Sequence, residues 1–284
     1  MIDLHTHTNE SDGTWSPLRL IEEASRLGLE ALAITDHDTL AGYDAAAPAA
    51  RDRGLDLVCG IELGTVFIRA GGPPVRHVHL LGYFLANPPA AAFRAWMEEI
   101  HTGRRERNQI LAGRLQQIGL SVTAGEAEAL GKTVTGRPHF ARVLVQKGLA
   151  ASVQDAFDRF LNDAARAFVP RRVPPFSQAT ARILEAGGLP VLAHPFRLVG
   201  EHRQRLTDLL EGMIAQGLRG IEAYHSDHSP RDTEQLLALA SALGLAVTGG
   251  SDFHGESKPG VALGCLAVPR EVLDGLRAFT SPGA

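Results

Sequence analysis

Histidine or carboxylate side chains occupy alternate positions at two places in this sequence of 284 residues. His5 and His7 form one pair, and Asp252 and His254 form the other. Because alternate side chains of an extended chain share a face, each pair can direct two ligands to one metal ion or to two adjacent ions. Further ionisable residues lie in or directly after short apolar runs: Asp36, His37, Asp38, Glu62, His77, His79, His194, Glu222 and His225.

This combination of side chains is typical of divalent metal coordination. Neutral imidazoles mixed with carboxylates suit borderline cations such as Mn, Fe or Zn, and Glu62 can bridge two cations through its two oxygens. The set contains no thiolate, which argues against a closed structural zinc site. Spacing alone leaves two questions open. The first is whether His77 or His79 is the ligand, since both lie on one strand face. The second is whether Glu222 is a functional residue or a salt-bridged residue at a strand end.

The elements that must position these residues are short buried strands. Seven apolar runs predict them, at residues 2–4, 31–34, 55–59, 78–81, 189–193, 220–223 and 245–248. Stretches with helical spacing, such as 16–27 and 230–243, separate most of the runs, and Gly28 and Gly244 follow where a left-handed residue ends a helix. In a parallel α/β barrel the carboxyl ends of the strands converge on one mouth, so we expect the ionisable residues to meet there.

The segment between about 93 and 168 interrupts this alternation, because its pattern is helical and contains no convincing strand. We therefore expect an α/β barrel formed by residues 1–98 and 168–284. A helical insertion of residues 99–167 is expected to cap the barrel and to contribute to substrate binding.

Several motifs make the sequence similar to a known family. DLHTHT, SDG, ITDHD, GIE, VHLLGY, LAHP and GSDFHG, in this order, resemble the motifs of the PHP (polymerase and histidinol phosphatase) superfamily over residues 1–84 and about 177–265. The segments RRERNQ (104–109) and TGRPHFAR (135–142) resemble a branch of stand-alone phosphoesterases, which are nucleotide bisphosphate phosphatases or 5′–3′ exoribonucleases.

The resemblance implies a distorted (β/α)7 barrel with two or three divalent metal ions. Mn is the preferred metal, and Fe, Zn or Mg are alternatives. Matched motif by motif, the implied ligands are His5, His7, Glu62 and Asp252 for the first metal, Glu62, His79 and His194 for the second, and Asp12, His37 and His254 for the third. The VHLLGY match favours His79 over His77. Some members of the superfamily carry His where this chain has Asp12.

The implied reaction is hydrolysis of a phosphate ester. Divalent cations lower the pKa of water and neutralise phosphoryl oxygens, so no serine or cysteine nucleophile is needed. The sequence contains neither GxSxG nor GxxxxGK[ST], which excludes two common hydrolase and nucleotide-binding motifs. Asp252 and His194 are expected to be catalytic together with the metals. Asp38 and His225 are candidates for the general acid by position only.

The preferred substrate is a 3′,5′-nucleotide bisphosphate, cleaved to a nucleoside 5′-monophosphate and phosphate. Arg is well suited to bidentate phosphate binding. The candidate substrate-binding residues are Asn108, Thr135, Arg137, His139 and Arg197. Arg104 and Arg105 are expected to be solvated surface charges, and His101, His202 and His228 to have no ligand role.

Three alternatives to this function remain. The first is a 5′–3′ exonuclease acting on short RNA or DNA. The second is a non-catalytic metal-binding or regulatory module, which a degenerate site would favour, whereas this chain has every expected ligand. The third is a carbon–nitrogen amidohydrolase, but such enzymes usually have a carboxylated lysine as the bridging ligand, and here Glu62 takes that place.

Composition limits the partners and the location. The formal net charge of −4 gives no reason to expect an acidic polymer partner. Cys59 and Cys265 are the only cysteines and form no CxxC pair, so a reducing compartment is expected. The start MIDLHTHT lacks the pattern of a signal peptide, and no apolar stretch approaches the roughly 20 residues that span a bilayer. We expect a cytoplasmic protein that binds a phosphorylated nucleotide or short oligonucleotide, with no membrane contact and no stable protein partner.

Overall fold

A computed structural model describes residues 1–68, 75–200 and 205–280. His202 lies outside the described residues. The strands are β1 (Ile2–Thr6), β2 (Ala31–Ile34), β3 (Asp56–Phe67), β4 (Val75–Phe84), β5 (Leu189–Leu192), β6 (Gly220–His225) and β7 (Ala246–Gly250). The α-helices are α1 (Pro17–Arg26), α2 (Ala41–Arg53), α3 (Ala91–Gln117), α4 (Ala124–Leu130), α5 (Arg137–Gln146), α6 (Val153–Ala156), α7 (Phe176–Glu185), α8 (Phe196–Val199), α9 (Leu206–Ile214), α10 (Pro230–Leu243) and α11 (Arg270–Thr280).

The strands form one nearly closed barrel in the order β1 to β7. Thr6, at the end of β1, forms a parallel bridge with Phe253, just beyond β7, which brings the two edges together. The Tyr83 hydroxyl on β4 donates to the Leu4 carbonyl on β1 at 2.8 Å, although these strands are not neighbours in the sheet. The ring of Tyr83 therefore fills the barrel interior. The expected distorted seven-strand barrel is confirmed.

The expectation that all seven strands are parallel is wrong for β4, which pairs antiparallel with both β3 and β5. The physical reason is the length of the connection. Only residues 68–74 join β3 to β4, whereas a parallel crossover needs about a dozen residues or more. Because β4 is reversed, its amino-terminal half lies beside the carboxyl half of β3, and His79 pairs with Gly64.

Local sequence signals set the helix ends. Ser16 caps α1 by accepting a hydrogen bond from the Arg19 backbone N–H, and Pro17 occupies the first turn. Gly28 and Gly244 have φ values of 71° and 64°, the left-handed conformation expected after α1 and α10.

The segment between β4 and α7 is helical and has a hydrophobic core of its own. Leu111 and Leu115 of α3 are buried there together with Phe140 and Leu144 of α5. The other end of α3 belongs to the barrel, since Trp96 packs in the larger core. The expected boundary between residues 98 and 99 falls inside this continuous helix. Within the described ranges, no helix is both long and apolar enough to cross a bilayer.

Candidate metal centre

Glu62 of β3 lies at the centre of a cluster of imidazoles. Its side chain is 1% exposed. Oε1 lies 2.7 Å from Nδ1 of His79 and 3.1 Å from Nε2 of His194. Oε2 lies within 3.1–3.3 Å of a ring nitrogen of three further residues, His5, His7 and His37. The two oxygens therefore face different sets of histidines, which is the arrangement that a carboxylate bridging two cations requires.

The four residues that the resemblance assigns to a first metal lie together. His5, His7, Glu62 and Asp252 are buried, and one potential ligand atom from each lies within 4.8 Å of all the others. Oδ1 of Asp252 is 3.5 Å from Nε2 of both His5 and His7. His5 and Glu62 lie in β1 and β3, and His7 and Asp252 follow the carboxyl ends of β1 and β7.

The other two predicted groups also lie at this mouth, and they meet at His37. Nδ1 of His37 faces Glu62 at 3.2 Å, and its Nε2 faces Oδ2 of Asp12 at 3.7 Å. Nε2 of His254 is 3.4 Å from Oδ1 of Asp12. His37 thus stands between the group around Glu62 and the group around Asp12. His77 is 44% exposed and lies 3.6 Å from Asp163, so of the two histidines on β4 only His79 reaches Glu62.

Ring nitrogens without hydrogen bonds show that this set fits a divalent metal. Neither Nδ1 nor Nε2 of His7 has a hydrogen-bond partner among the described residues, and both are buried. Nδ1 of His194 is in the same situation. Burial alone lowers the pKa of His7, but the nearby carboxylates of Asp252 and Glu62 raise it to about 10. Cations bind neutral imidazoles and would take the place of these protons.

Buried groups behind the ligands fix their orientation. Oε1 of Glu222 accepts a hydrogen bond from Nδ1 of His5 at 2.8 Å, and its Oε2 accepts one from the His194 backbone N–H at 2.7 Å. His225 accepts from the Asp227 N–H through Nδ1 at 3.0 Å, which leaves its Nε2–H facing Oδ2 of Asp252 at 3.4 Å. Glu222 thus contacts two candidate ligands, His5 through its ring and His194 through its backbone, and it is placed to orient the ring of His5.

The backbone is strained where strands deliver these residues. Asp38, His194 and Asp252 have φ values of 55°, 29° and 57°, in the left-handed region that non-glycine residues rarely adopt. Each follows the carboxyl end of a strand. Such strain is concentrated at functional sites, where the surrounding structure holds the conformation.

Asp38 does not have the environment of a general acid. Its Oδ2 accepts hydrogen bonds from Arg171, at 2.7 Å, and from Arg104. Burial alone raises the pKa of Asp38, but these two guanidinium groups hold it well below its usual range. The carboxylate is therefore ionised at neutral pH and has no proton to donate, so the geometry argues against this role.

Four arginines and several candidate metal ligands line a cavity of about 330 Å³, here called the arginine cavity. The arginines are Arg104, Arg107, Arg137 and Arg171, and the ligands beside them are Asp12, His37 and His79. The expectation that Arg104 is a solvated surface charge is wrong, because its residue is 8% exposed and it binds Asp38. Arg105 is exposed, as expected.

Sequence reasoning missed Arg107, although a signal for it exists. Arg104, Arg107, Asn108 and Leu111 follow the i, i+3, i+4, i+7 spacing of one helix face, and all four are buried. An arginine on the same face as a core leucine faces the interior and not the solvent.

The predicted substrate-binding residues fall in different surroundings. Nη1 of Arg137 lines the arginine cavity and donates to the Leu161 carbonyl and to Asp163 at 2.9 and 2.7 Å. Asn108 donates to the Thr135 carbonyl, and both residues line an adjoining cavity of about 220 Å³. Nδ1 of His139 accepts from the Gly136 N–H at 3.0 Å, inside the first turn of α5.

Oδ2 of Asp252 receives two cationic groups from the rim. Arg197 donates to it at 3.1 Å and to Asp227 at 2.8 Å, so its guanidinium is held by carboxylates. Lys258, which sequence reasoning missed, also donates to Oδ2 of Asp252, at 3.0 Å. Because both cations bind Oδ2, Oδ1 of Asp252 still faces Nε2 of His5 and His7.

The barrel and its histidine–carboxylate centre define a metal-dependent hydrolase. The chain belongs to the PHP domain family, whose model matches residues 3–171. It is 31% identical over 265 residues to a 3′,5′-nucleoside bisphosphate phosphatase of Chromobacterium violaceum, covering 93% of this chain and 90% of the relative. It is 34% identical over 271 residues to the 5′–3′ exoribonuclease Rnm of Escherichia coli, covering 92% and 87%.

A solved structure is similar over almost the whole chain. It comes from Bifidobacterium adolescentis, is described as a metal-dependent phosphoesterase, and superposes with a TM-score of 0.82 at 32% identity, covering 98% of this chain and 96% of the other. Family, relatives and structure agree that this chain is a phosphate-ester hydrolase that binds divalent metal.

Proposed function

We propose that the chain removes one phosphate from a nucleotide that carries a second phosphate, with a 3′,5′-nucleotide bisphosphate as the preferred substrate. Arg107 carries this proposal. It is 6% exposed, and its Nε and Nη1 have no hydrogen-bond partner among the described residues. It lines the same cavity as three candidate metal ligands.

The charge around Arg107 favours an anion. Arg104 and Arg171 share the carboxylate of Asp38, and Arg137 is paired with Asp163. With Asp12, which also lines the cavity, four guanidinium groups face three carboxylates and leave an excess of one positive charge, which favours a negatively charged phosphate. Burial, followed by the other arginines, lowers the pKa of Arg107 to about 9. A buried, unpaired cation is costly, and a bound phosphate would relieve that cost.

The metal centre and the arginine cavity would each bind one of the two phosphates. Two or three divalent cations, Mn first among them, would activate water and neutralise the phosphoryl oxygens of the phosphate that is removed. Glu222 and His225 orient the ligands His5, His194 and Asp252 for this task. The arginine cavity would hold the phosphate that stays on the product.

A 5′–3′ exonuclease on short oligonucleotides is the second candidate. The adjoining cavity that contains Asn108 and Thr135 supports it, because it shares Arg104 with the arginine cavity and is also lined by Arg105 and Lys132. It offers basic side chains to a further nucleotide.

Kinetics with paired substrates test the proposal. With Mn²⁺ present, phosphate release would be measured for a 3′,5′-bisphosphate, a 3′-monophosphate and an aryl phosphate, and mononucleotide release for short oligonucleotides. Removing a charged partner costs about 2–5 kcal/mol, so Arg107→Met and Arg137→Ala should each lower kcat/KM for the bisphosphate roughly 30-fold or more. The aryl phosphate should be nearly unaffected.

Arg105→Met is the matched control, since Arg105 is an exposed arginine on the same helix. It should leave all the rates for substrates with a single nucleotide unchanged. Equal losses on both the bisphosphate and the aryl phosphate in Arg107→Met would refute a role in binding the second phosphate. Higher kcat/KM for oligonucleotides than for every bisphosphate would favour the exonuclease.

A further inference from the structure

The loop of residues 8–13, here called the Asp12 loop, carries one candidate ligand of the third metal and is held by the helical insertion. The Thr133 hydroxyl donates to Oε2 of Glu10 at 2.7 Å. The Val134 N–H donates to the Glu10 carbonyl at 2.9 Å. Lys132 places its ammonium group 3.4 Å from Oε1 of Glu10. Three successive residues of the insertion thus bind the residue two positions before Asp12.

Arg142, on α5 of the insertion, holds the same loop at a second point. Its Nη2 donates to the carbonyl of Asp12 at 2.6 Å and also to the Ser257 hydroxyl. Ser257 lies three residues after His254, a second candidate ligand of the third metal. One side chain of the insertion therefore ties together the two loops that carry Asp12 and His254.

The insertion also contacts the segment next to His37, the remaining candidate ligand. Nε2 of His101 donates to the carbonyl of Asp38 at 2.7 Å, and Arg104 binds the Asp38 carboxylate. Both side chains come from α3. All three ligands of this group are thus within three residues of a position that the insertion binds.

The other ligands are oriented from within the barrel. Glu222 binds His5 and the backbone of His194, and His225 faces Asp252. The Asp252 carboxylate also accepts hydrogen bonds from Arg197 and Lys258, which belong to the barrel. The described part of the insertion thus forms hydrogen bonds beside all three ligands of the third group, whereas its contact near the second group is the 3.6 Å pair of Asp163 with His77, two residues before His79.

We propose that the docked insertion completes the third metal site, with Thr133 and Arg142 as positioning residues for Asp12. This inference rests on the metal-binding part of the proposed function. The barrel also holds the loop, since Asp36 accepts hydrogen bonds from Thr8 and Ser11 at 2.6–2.7 Å. The alternative is that Asp36 alone is sufficient, and the two can be separated by mutation.

Equilibrium dialysis with Mn²⁺ alone tests the proposal. The wild type should bind three Mn²⁺ ions. The weakest step should belong to the third group, because its carboxylate, Asp12, is 17% exposed, whereas Glu62, which the first and second groups share, is 1% exposed. In the double variant Thr133→Val, Arg142→Met, that step should weaken at least about tenfold, the usual effect of removing a group that orients a ligand. The two tighter steps should not change.

The matched control is the double variant Thr123→Val, Arg159→Met. It makes the same two chemical changes in the insertion, at residues whose hydrogen bonds are to Glu126, Asp155 and Leu149 and not to the Asp12 loop. All three binding steps should match the wild type. If the test double variant does not fold, Thr133→Val alone should weaken the last step about threefold.

Three results would overturn the proposal: an unchanged weakest step in the test variant, equal weakening of every step, or a wild type that binds only two Mn²⁺ ions. No phosphate ester is present in this measurement. A wrong substrate assignment would therefore alter the phosphate-release results and leave the Mn²⁺ isotherm as expected.

Discussion

Glu222 and His5 form a fully buried carboxylate–imidazole pair, with Oε1 of Glu222 2.8 Å from Nδ1 of His5. The hydrogen bond turns Nε2 of His5 toward Glu62 and Asp252, where a metal ligand must point. The pKa of Glu222 is lowered to about 2, because His5 and His225 outweigh the effect of burial. The carboxylate is thus charged at neutral pH and makes Nε2 of His5 a stronger metal ligand.

Glu222→Gln should therefore weaken metal binding while preserving the shape of the side chain. The amide carries no charge to support His5, and the loss of such a partner lowers metal affinity by about 10- to 100-fold. Mn²⁺ dialysis measures the effect, with Glu211→Gln on the exposed face of α9 as the control. Wild-type affinity in Glu222→Gln would show that its charge has no role at the metal centre.

Activity should require several metal ions and the carboxylate of Asp252. Purified active enzyme should contain at least two equivalents of Mn, Fe or Zn by elemental analysis, and chelation should abolish phosphate release. Asp252→Ala should lower turnover by at least about a hundredfold with an unchanged circular dichroism spectrum. Less than one equivalent of metal in active enzyme would contradict the multinuclear site, and near-normal turnover of Asp252→Ala would contradict its assignment as a ligand.

Asp38→Asn separates a positioning role from general-acid catalysis. Without this carboxylate, Arg104 and Arg171 lose their shared counter-ion, so kcat/KM for a 3′,5′-bisphosphate should fall at least about tenfold. A 3′-monophosphate has the same leaving group and lacks the second phosphate, so its turnover should stay within about threefold of the wild type. A large loss on the monophosphate as well, with metal content intact, would restore Asp38 as the general acid.

Asp56 at the start of β3 should make stability depend on pH. It accepts hydrogen bonds from Arg277 at 2.8 and 2.9 Å and from Arg270 at 2.7 Å, which attaches α11 to the barrel. These arginines lower the pKa of Asp56 against the opposing effect of burial. A lowered pKa in the folded state means that the stabilisation is complete above the unfolded value of about 3.9 and is lost as the pH falls through the folded value.

Asp56→Asn should accordingly lower the free energy of unfolding by about 1 kcal/mol at pH 7, a modest value because the pairs are partly exposed. The difference from the wild type should shrink as the pH falls below about 4. Urea denaturation at several pH values measures it, and Asp274→Asn, which removes a more exposed partner of Arg270, is the control. A difference that is the same at pH 7 and at pH 3 would contradict this account.

The sequence determined the features that depend on short spacing. The alternation of His5 with His7 and of Asp252 with His254 is a property of an extended backbone, and the structure brings both pairs to one mouth. Ser16 begins α1 through a local hydrogen bond, and Gly28 and Gly244 follow the ends of α1 and α10 with left-handed backbone angles, so neighbouring residues were enough to place these helix ends.

Tertiary structure decided whatever depends on which elements meet. The direction of β4 follows from the connection of residues 68–74, and that direction is what carries His79 to Glu62. Arg107 appears as one more charge on a helix in the sequence. Its burial in the arginine cavity depends on how α3 docks against the barrel. The 3.6-residue period indicates which face of α3 is buried but not which part of the protein that face contacts.

The same reason separates ligands from the groups that orient them. A ligand such as His5 belongs to a motif of adjacent residues, whereas Glu222 lies 217 positions further along the chain and reaches His5 only because the barrel closes. Contacts between residues so far apart depend on the packing of whole strands, which no local sequence pattern predicts.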